Sequence, residues 1–344
     1  MTVVIYVCDE EFKLDTDDQT ATATNMERLY LRVIKTQYDT TNIATFDLAD
    51  PNRNALPAFS AGAHIDIWIS EDECRQYSLC GSPDDAYTYR IGVQREDEGS
   101  GGSIWVHDHL RVGEIIEVSS PRNLFPLADD AGSHILLAGG IGVTPLIAMI
   151  HELEERSAPY EMHFCSRSAD RTPFLEFLTP RIEAGRVHIH HDEGDPAAGL
   201  DIAALLHDQP SGAHLYYCGP AGFMSAAKDA SSHWAKGTVH FEYFSSPEDD
   251  MANDDAVNVP FQVKLKDSGE IFDVPADQTI VEVLRANGIP VDTQCEDGFC
   301  ATCMTRYVAG EPEHRDSVLD DDDRSQFVLI CCARSKTPLL ELDL

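Results

Sequence analysis

His134-Ile-Leu-Leu-Ala-Gly139-Gly140-Ile-Gly142-Val-Thr144-Pro145-Leu-Ile-Ala-Met-Ile150 reads as a strand, a glycine turn and the opening of a helix that continues through Leu146 to Arg156. Glycines let a backbone approach a pyrophosphate, and a helix N-terminus supplies free N–H groups and a favourable dipole. The third glycine of G-x-G-x-x-G is missing, so the turn alone reads equally as a strand-to-helix connection or as a dinucleotide site. Four further strand-like runs, YEMHFC (160–165), RVHIH (186–190), HLYYC (214–218) and VHFEYF (239–244), are separated by helical stretches. Alternating strand and helix predicts a parallel α/β sheet. Cys165-Ser166-Arg167-Ser168 and Cys218-Gly219-Pro220 also follow strands directly. All three segments therefore fall at the carboxyl edge, where such sheets bind ligands, and their convergence predicts a bound dinucleotide.

Upstream, from Met26 to Asp129, the rhythm changes to short alternating apolar runs (LYLRVI, ATFDL, HIDIWI, YTYRIGV, EIIEV) broken by Gly, Pro and Asp. That spacing predicts an antiparallel β-barrel or sandwich, with a helix over Ser103 to His109. Within it, Arg75-Gln76-Tyr77-Ser78-Leu79 taken alone is an ordinary half-buried strand. Strand alternation puts Arg75 and Tyr77 on one face and Ser78 on the other, so one ligand meets all three only where the strand twists or ends. Gly81-Ser82-Pro83 marks such an end, and Gly101-Gly102-Ser103, before the helix, suits a phosphate.

Downstream, Pro247 to Asp255 carries five acids and almost no core-forming side chain, the composition of a solvated linker. FQVKLKDSGEIFDVP then reads as a hairpin, TIVEVLRANG as a helix ending at Gly288, and LLELDL as a closing strand. Between them stand Cys295-Glu-Asp-Gly298-Phe-Cys300-Ala-Thr-Cys303 and, 28 positions on, Cys331. This C-x4-C-x2-C spacing with a distant fourth cysteine is the plant-type ferredoxin arrangement, in which four thiolates hold a 2Fe-2S cluster. Zinc also takes four thiolates but favours paired short knuckles, and buried inert thiols are the remaining alternative. Cys331 and Cys332 are adjacent; LICCARS resembles the ferredoxin register in which the ligand is followed by one residue and then Ala, which selects Cys331.

The chain of 344 residues carries 25 Lys and Arg against 60 Asp and Glu, a net charge of −35 that repels nucleic acid and anionic lipid. Hydrophobic residues make up 43%, enough for packed cores. The N-terminal MTVVIYV lacks a basic region, and no apolar run approaches the ~20 residues of a membrane span. A cytoplasmic protein is expected, whose ten cysteines serve as ligands or buried thiols. The predicted organisation is an acidic extension (1–25), a β-barrel (26–129), a nucleotide domain (130–245), an acidic linker (246–258) and an α+β, ferredoxin-like domain of β-grasp type (259–344). His190, His191 and Asp192 read as a solvated strand end rather than a metal site, and Asp320 to Asp323 as a solvated loop or helix start.

Arg75-Gln-Tyr-Ser-Leu, GGIGVTP, CGP and the C-terminal cysteines, in that order, resemble the phthalate dioxygenase reductase and vanillate demethylase reductase family over essentially all of Met26 to Leu344. The resemblance implies FMN in the barrel, NADH on the sheet and a 2Fe-2S cluster at the C-terminus, in a monomer that feeds a Rieske-type oxygenase. It assigns the flavin phosphate to Arg75 and the flavin ring to Tyr77 and Ser78, with Ser78 near N5; Gln76 is counted among the cofactor-binding residues, and the Gly101-Gly102-Ser103 turn is a second phosphate cradle. It places Asn123 and Phe125 in the segment joining flavin and nucleotide domains, where an aromatic can cover the flavin. Gly139, Gly140, Gly142, Thr144, Pro145, Arg167, Ser168, Gly219 and Pro220 then face the nucleotide, with Cys218 near the nicotinamide; a buried strand-end thiol is the alternative for Cys218. Arg167 by itself points to a 2′-phosphate, whereas Asp170 and the family favour NADH. NADH gives two electrons at once and the cluster takes one; a flavin handles both, and no general base is required. A reductase for another haem or non-haem acceptor, or a redox sensor read by a binding partner, are the competing readings.

Overall fold

The computed structural model describes residues 28–70, 73–97, 99, 101–244, 258–291, 293, 298, 302–316, 319 and 321–344. The acidic extension, most of the linker, Cys295, Cys300 and Asp320 lie outside these residues.

The first unit contains β1 (Arg28–Tyr38), β2 (Ile43–Ala49), β3 (Ala63–Trp68), β4 (Cys74–Ser78), β5 (Tyr89–Gln94), α1 (Gly102–His109), β6 (Ile115–Ser119) and β7 (Arg122–Asn123). Its sheet runs β4-β3-β6-β1-β2-β5 with β7 paired to β3, every pairing antiparallel. A bridge between Leu79 and Ile91 joins the end of β4 to β5 and closes the path into a barrel. Alternate residues such as Leu31, Val33, Ile65, Ile67, Ile91 and Val118 fill its interior.

The second unit contains β8 (Ser133–Gly139), α2 (Val143–Glu155), β9 (Tyr160–Ser166), α3 (Leu175–Glu183), β10 (Val187–His191), α4 (Ile202–Leu205), β11 (Ala213–Cys218), α5 (Ala221–Ser231) and β12 (Val239–Glu242). All five strands are parallel in the order β10-β9-β8-β11-β12. The chain winds outward from β8 through β9 to β10, then returns to β11 and β12 on the other side. Its switch point therefore lies between β8 and β11, where open α/β sheets hold ligands. The last strand stops at Glu242, short of the expected Phe244.

Barrel and sheet pack together. Phe174 and Thr144 sit against Gly92 of β5, so closely that a β-carbon there would lie 2.9 Å from each. The Ala61 N–H donates to Glu152 Oε2 at 2.8 Å, and the Ala128 N–H donates to Tyr216 Oη at 2.8 Å.

The third unit contains β13 (Phe261–Leu265), β14 (Ile271–Val274), α6 (Ile280–Ala286), β15 (Met304–Ala309), β16 (Pro312–Glu313), α7 (Asp321–Arg324), β17 (Phe327–Leu329), β18 (Arg334–Ser335) and β19 (Leu339–Leu342). Its main sheet runs β14-β13-β19-β15-β17, with the expected hairpin at β13 and β14 and the closing strand β19 laid parallel to β13. Thr279 and Glu282 form a reciprocal capping box on α6, whose Ile280, Val281, Val283 and Leu284 are buried on the sheet. Buried Arg334 donates to the carbonyls of Gln278, Val259 and Pro275, tying the segment after Cys331 to the start of the unit. Among the described residues no helix is long and apolar enough to cross a membrane.

Candidate functional site

A single cleft of about 2290 Å³ runs from the barrel strand β4 to the carboxyl edge of the parallel sheet. One small-molecule pocket occupies ~300–1,000 Å³, so this cleft has room for two ligands end to end.

At the barrel end, Arg75, Gln76, Tyr77 and Ser78 all line it, with Gly101, Gly102 and Ser103 opposite. The alternation problem is resolved by position: Ser78 is the last residue of β4, and the strand ends there. Gly101 holds φ +91 just before α1, a left-handed conformation that glycine adopts without strain. The Arg75 side chain lies across Gly102, where a β-carbon would come within 2.6 Å of its Cγ and 2.7 Å of its Nε. The Arg75 guanidinium pairs with Glu73 and donates to the Cys74 carbonyl at 2.8 Å, beside the N-terminus of an eight-residue helix that no side chain caps; a cation next to free helix N–H groups is the chemistry a phosphate group requires.

At the sheet end, Gly139, Gly140, Gly142, Thr144, Arg167, Gly219 and Pro220 line the cleft. The glycines divide into two uses. Gly140 faces open space, as close approach of a ligand requires. Gly142 instead abuts the Cys218 carbonyl, where a β-carbon would sit 2.4 Å from the backbone, so it lets the start of α2 meet β11 at the switch point. Arg171 joins Arg167 on the lining after β9; with Arg75 these are the three arginines of the cleft among the described residues.

Five expected residues are not on the lining. Pro145 is buried in the first turn of α2. Ser168 turns to Asp170, donating to its Oδ1 at 2.7 Å. Cys218 is wholly buried beneath the edge, and burial pushes its thiol well above the usual range. Asn123 is engaged with Ser60 Oγ at 2.7 Å and the Ala61 carbonyl at 2.8 Å. Phe125 is 2% exposed, its ring packed in the core near Tyr216, so it covers no ligand; Leu124 between them reaches the cleft instead. The strand-end histidines also differ from the solvated reading. His190 meets His163 at 3.1 Å and His191 meets Thr172 at 3.1 Å, and no group able to hold a metal ion occurs among the described residues.

Glu242 stands in no motif and is not among the expected site residues. It ends β12 and lines the cleft, with Ser78 Oγ donating to its Oε2 at 3.2 Å and His64 Nδ1 at 4.0 Å from its Oε1. Burial raises its carboxyl to about 8, against the opposing hydrogen bond from Ser78. His64 is lowered to about 4, first by burial and then by Arg122, so near neutrality it presents no compensating charge. The available signal was placement: like Cys218, Glu242 falls at the carboxyl end of a parallel strand, and the two are register partners.

In the third unit, Cys303 and Cys331 are both buried, with their sulfurs 3.0 Å apart. That is too long for a disulfide, whose sulfurs lie ~2.05 Å apart, and suits two thiolates converging on one centre. The Cys332 thiol turns away to the Leu329 carbonyl at 3.7 Å. Gly298, at φ +78, packs so tightly on Cys332 that a β-carbon would lie 2.5 Å from its sulfur. The residues present fit a thiolate-held cluster.

Fold and cleft together define a flavin-type barrel joined to a nucleotide-type sheet, followed by an electron-carrier unit. The model of the 2Fe-2S iron-sulfur cluster binding domain matches residues 263–336. The reductase subunit of tert-butanol monooxygenase / tert-amyl alcohol desaturase from Aquincola tertiaricarbonis is 44% identical over 92% of this chain and 96% of its own length. Vanillate O-demethylase oxidoreductase from Pseudomonas putida is 41% identical over 91% and 98%. The solved structure of phthalate dioxygenase reductase, described as modular for electron transfer from pyridine nucleotides to [2Fe-2S], is 38% identical, with a TM-score of 0.70 over 92% of this chain and 98% of that one. The chain belongs to the phthalate dioxygenase reductase and vanillate O-demethylase oxidoreductase family, the oxidoreductase components of multicomponent oxygenases.

Proposed function

We propose that the chain is a monomeric, cytoplasmic NADH-dependent reductase that passes single electrons through FMN and a 2Fe-2S cluster to a Rieske-type oxygenase acting on an aromatic acid, an aryl ether or a similar compound. The supporting observation is the continuous cleft that joins the Arg75 cradle to the glycine turns of the parallel sheet. Arg75 and the N-terminus of α1 hold the flavin phosphate, while Gln76, Tyr77 and Ser78 orient the ring. One cradle of this kind suits FMN, with its single phosphate, better than FAD. Gly139, Gly140, Gly142 and Thr144, with Gly219 and Pro220, receive the nucleotide, and Arg167 takes its phosphate end. Pro145, Ser168 and Cys218 support that surface from beneath, and Asn123 and Phe125 fix the connection between barrel and sheet. Cys295, Cys300, Cys303 and Cys331 hold the cluster. The bound flavin supplies the exchange between a two-electron donor and a one-electron acceptor. The domain limits are 26–129, 130–245 and 259–344.

The test is to release the flavin from purified protein, identify it by chromatography, and follow NADH oxidation with a dye and then with candidate purified oxygenases. FMN, sustained turnover and coupled oxygenase product are expected. FAD as the main species would overturn the flavin assignment. A cluster-loaded protein without turnover would favour a redox sensor, and turnover with haem proteins alone would favour a different acceptor.

A further inference from the structure

Both edge strands of the parallel sheet, β10 and β12, are tied to their inner neighbours by the same arrangement of three side chains. On β9, Glu161 Oε1 lies 3.3 Å from His163 Nε2, and His163 Nδ1 meets His190 Nε2 of β10 at 3.1 Å. On β11, His214 Nε2 lies 3.9 Å from Oδ1 of Asp130, which precedes β8, and His214 Nδ1 meets His240 Nε2 of β12 at 3.0 Å. Each outer histidine stands two residues before a carboxylate that lines the cleft: Asp192 after His190, and Glu242 after His240. The cleft is therefore bounded on both flanks by a strand held through an imidazole pair.

An N–H···N bond needs one donor and one lone pair, so such a pair survives with no proton to spare or with one added. A second proton leaves two donors and two positive charges facing each other at about 3 Å. An edge strand has backbone bonds on one side only, so it is the element free to move. Glu161 faces both strands of its clip, with Oε1 3.1 Å from His188 Nε2 on β10 as well as 3.3 Å from His163 Nε2, and Asp130 faces the inner ring of the other. The outer rings are disfavoured by burial and by their neighbours: His190 faces His163, His188 and His191, and His240 faces His214 and His134 and stacks on Tyr216 at 4.6 Å, with Asp130 alone opposing.

We propose that the His163–His190 and His214–His240 pairs are acid-sensitive clips whose double protonation releases the edge strands, and with them the Asp192 and Glu242 flanks of the cleft. The consequence for nucleotide binding rests on the reading of the cleft given above; the release itself does not. A His240 ring that titrates at about 4 when clipped and near 6.5 when free makes opening about thirtyfold more favourable at pH 5 than at pH 7.5.

Amide hydrogen exchange on the flavin-loaded full chain, corrected for intrinsic rates, tests this at pH 7.5 and 5.0. Protection across 239–242 should fall about thirtyfold, with a fall in the same direction across 187–191, while 133–139 and 213–218 hold. His240→Gln and His163→Gln keep a hydrogen-bonding group without the titration, and each should reduce the fall on its own edge to about threefold or less. Saturating NAD+ at pH 5.0 should restore protection at both edges. An equal fall in wild type and both variants, or one shared by all four strands, would overturn the proposal; the comparison of strands within the wild type decides it even where a variant does not fold. Edge release that NAD+ leaves unchanged would instead remove the nucleotide from this cleft while the clips stand.

Discussion

Replacing Glu242 with Gln should make the protein more stable at alkaline pH and leave it unchanged near pH 5. The carboxyl titrates at about 8 in the fold against 4.5 for the free group, a rise caused by burial between β4 and β12. Between these values the folded chain binds the proton more tightly than the unfolded one. The associated stability is present in full below the free-group pKa and is lost as pH rises through the folded one. At 1.36 kcal/mol per unit, the loss by pH 9 is on the order of 4 kcal/mol as an upper bound, because local relaxation and water entry reduce it. Gln retains an oxygen for Ser78 and does not titrate. Even ~1 kcal/mol moves the Tm of a unit this size by ~2–4 °C. Thermal unfolding of wild type and Glu242→Gln from pH 5 to pH 9, with bound flavin monitored throughout, should therefore give a Tm difference near zero at the acid end that grows in favour of Gln above pH 7. A constant difference across the range, or one that favours wild type at pH 9, would refute the assignment of a buried, proton-retaining carboxyl.

Cys331→Ser should abolish the visible cluster absorption while Cys332→Ser preserves it, because the Cys331 sulfur and not that of Cys332 converges on Cys303; the reverse pattern would reject the register. Gly102→Val adds atoms where Arg75 now lies, and should weaken flavin retention by about ten- to a hundredfold, the scale of one lost charge-assisted contact, as read by flavin fluorescence on dilution. Electron delivery to the oxygenase should slow as salt shortens the Debye length from ~30 Å to ~8 Å, while dye reduction stays flat. Delivery that is flat or rises with salt would assign the −35 charge to solubility instead of docking.

What the sequence carried well was local. The strands at 134–138, 160–165 and 214–218 each lie within an observed strand, because the inner strands of a parallel sheet are apolar runs bounded by glycine and polar turns, and 186–190 is offset by one residue from the half-buried edge strand β10. The capped helix after Thr279 and the hairpin before it are likewise set by residues adjacent in the chain. What it did not carry was set by packing between units. Phe125 is expected on the joining segment, where an aromatic can cover a flavin, yet the sheet core claims its ring. Glu242 is a plain acid in VHFEYF until the end of β4, more than 160 positions earlier, closes over it and Ser78 donates to it. His163, His190, His214 and His240 are scattered in sequence and become pairs only once the strand order is known.

The charge of the cleft adds a constraint on how it selects its ligands. A chain with 60 acids against 25 basic residues repels anions over most of its surface, and flavin and pyridine nucleotides are both anionic. Their phosphates must therefore be met by local cations, and the cleft's arginines sit at its two ends: Arg75 over the N-terminus of α1, and Arg167 with Arg171 after β9. Between them lie glycines, Thr144 and the half-buried Glu242, which accepts from Ser78, lies near His64 and, with its carboxyl raised to about 8 by burial, holds its proton near neutrality; among the described residues the other acids of the lining are Glu96, Asp192, Asp201 and Asp229. An anionic carboxylate at that point would oppose negative charge arriving in the middle of the cleft, whereas a protonated one does not. The same burial that costs stability at high pH thus keeps Glu242 itself neutral where the end of β4 meets the end of β12, so that it adds no charge to that of the other acids on the lining.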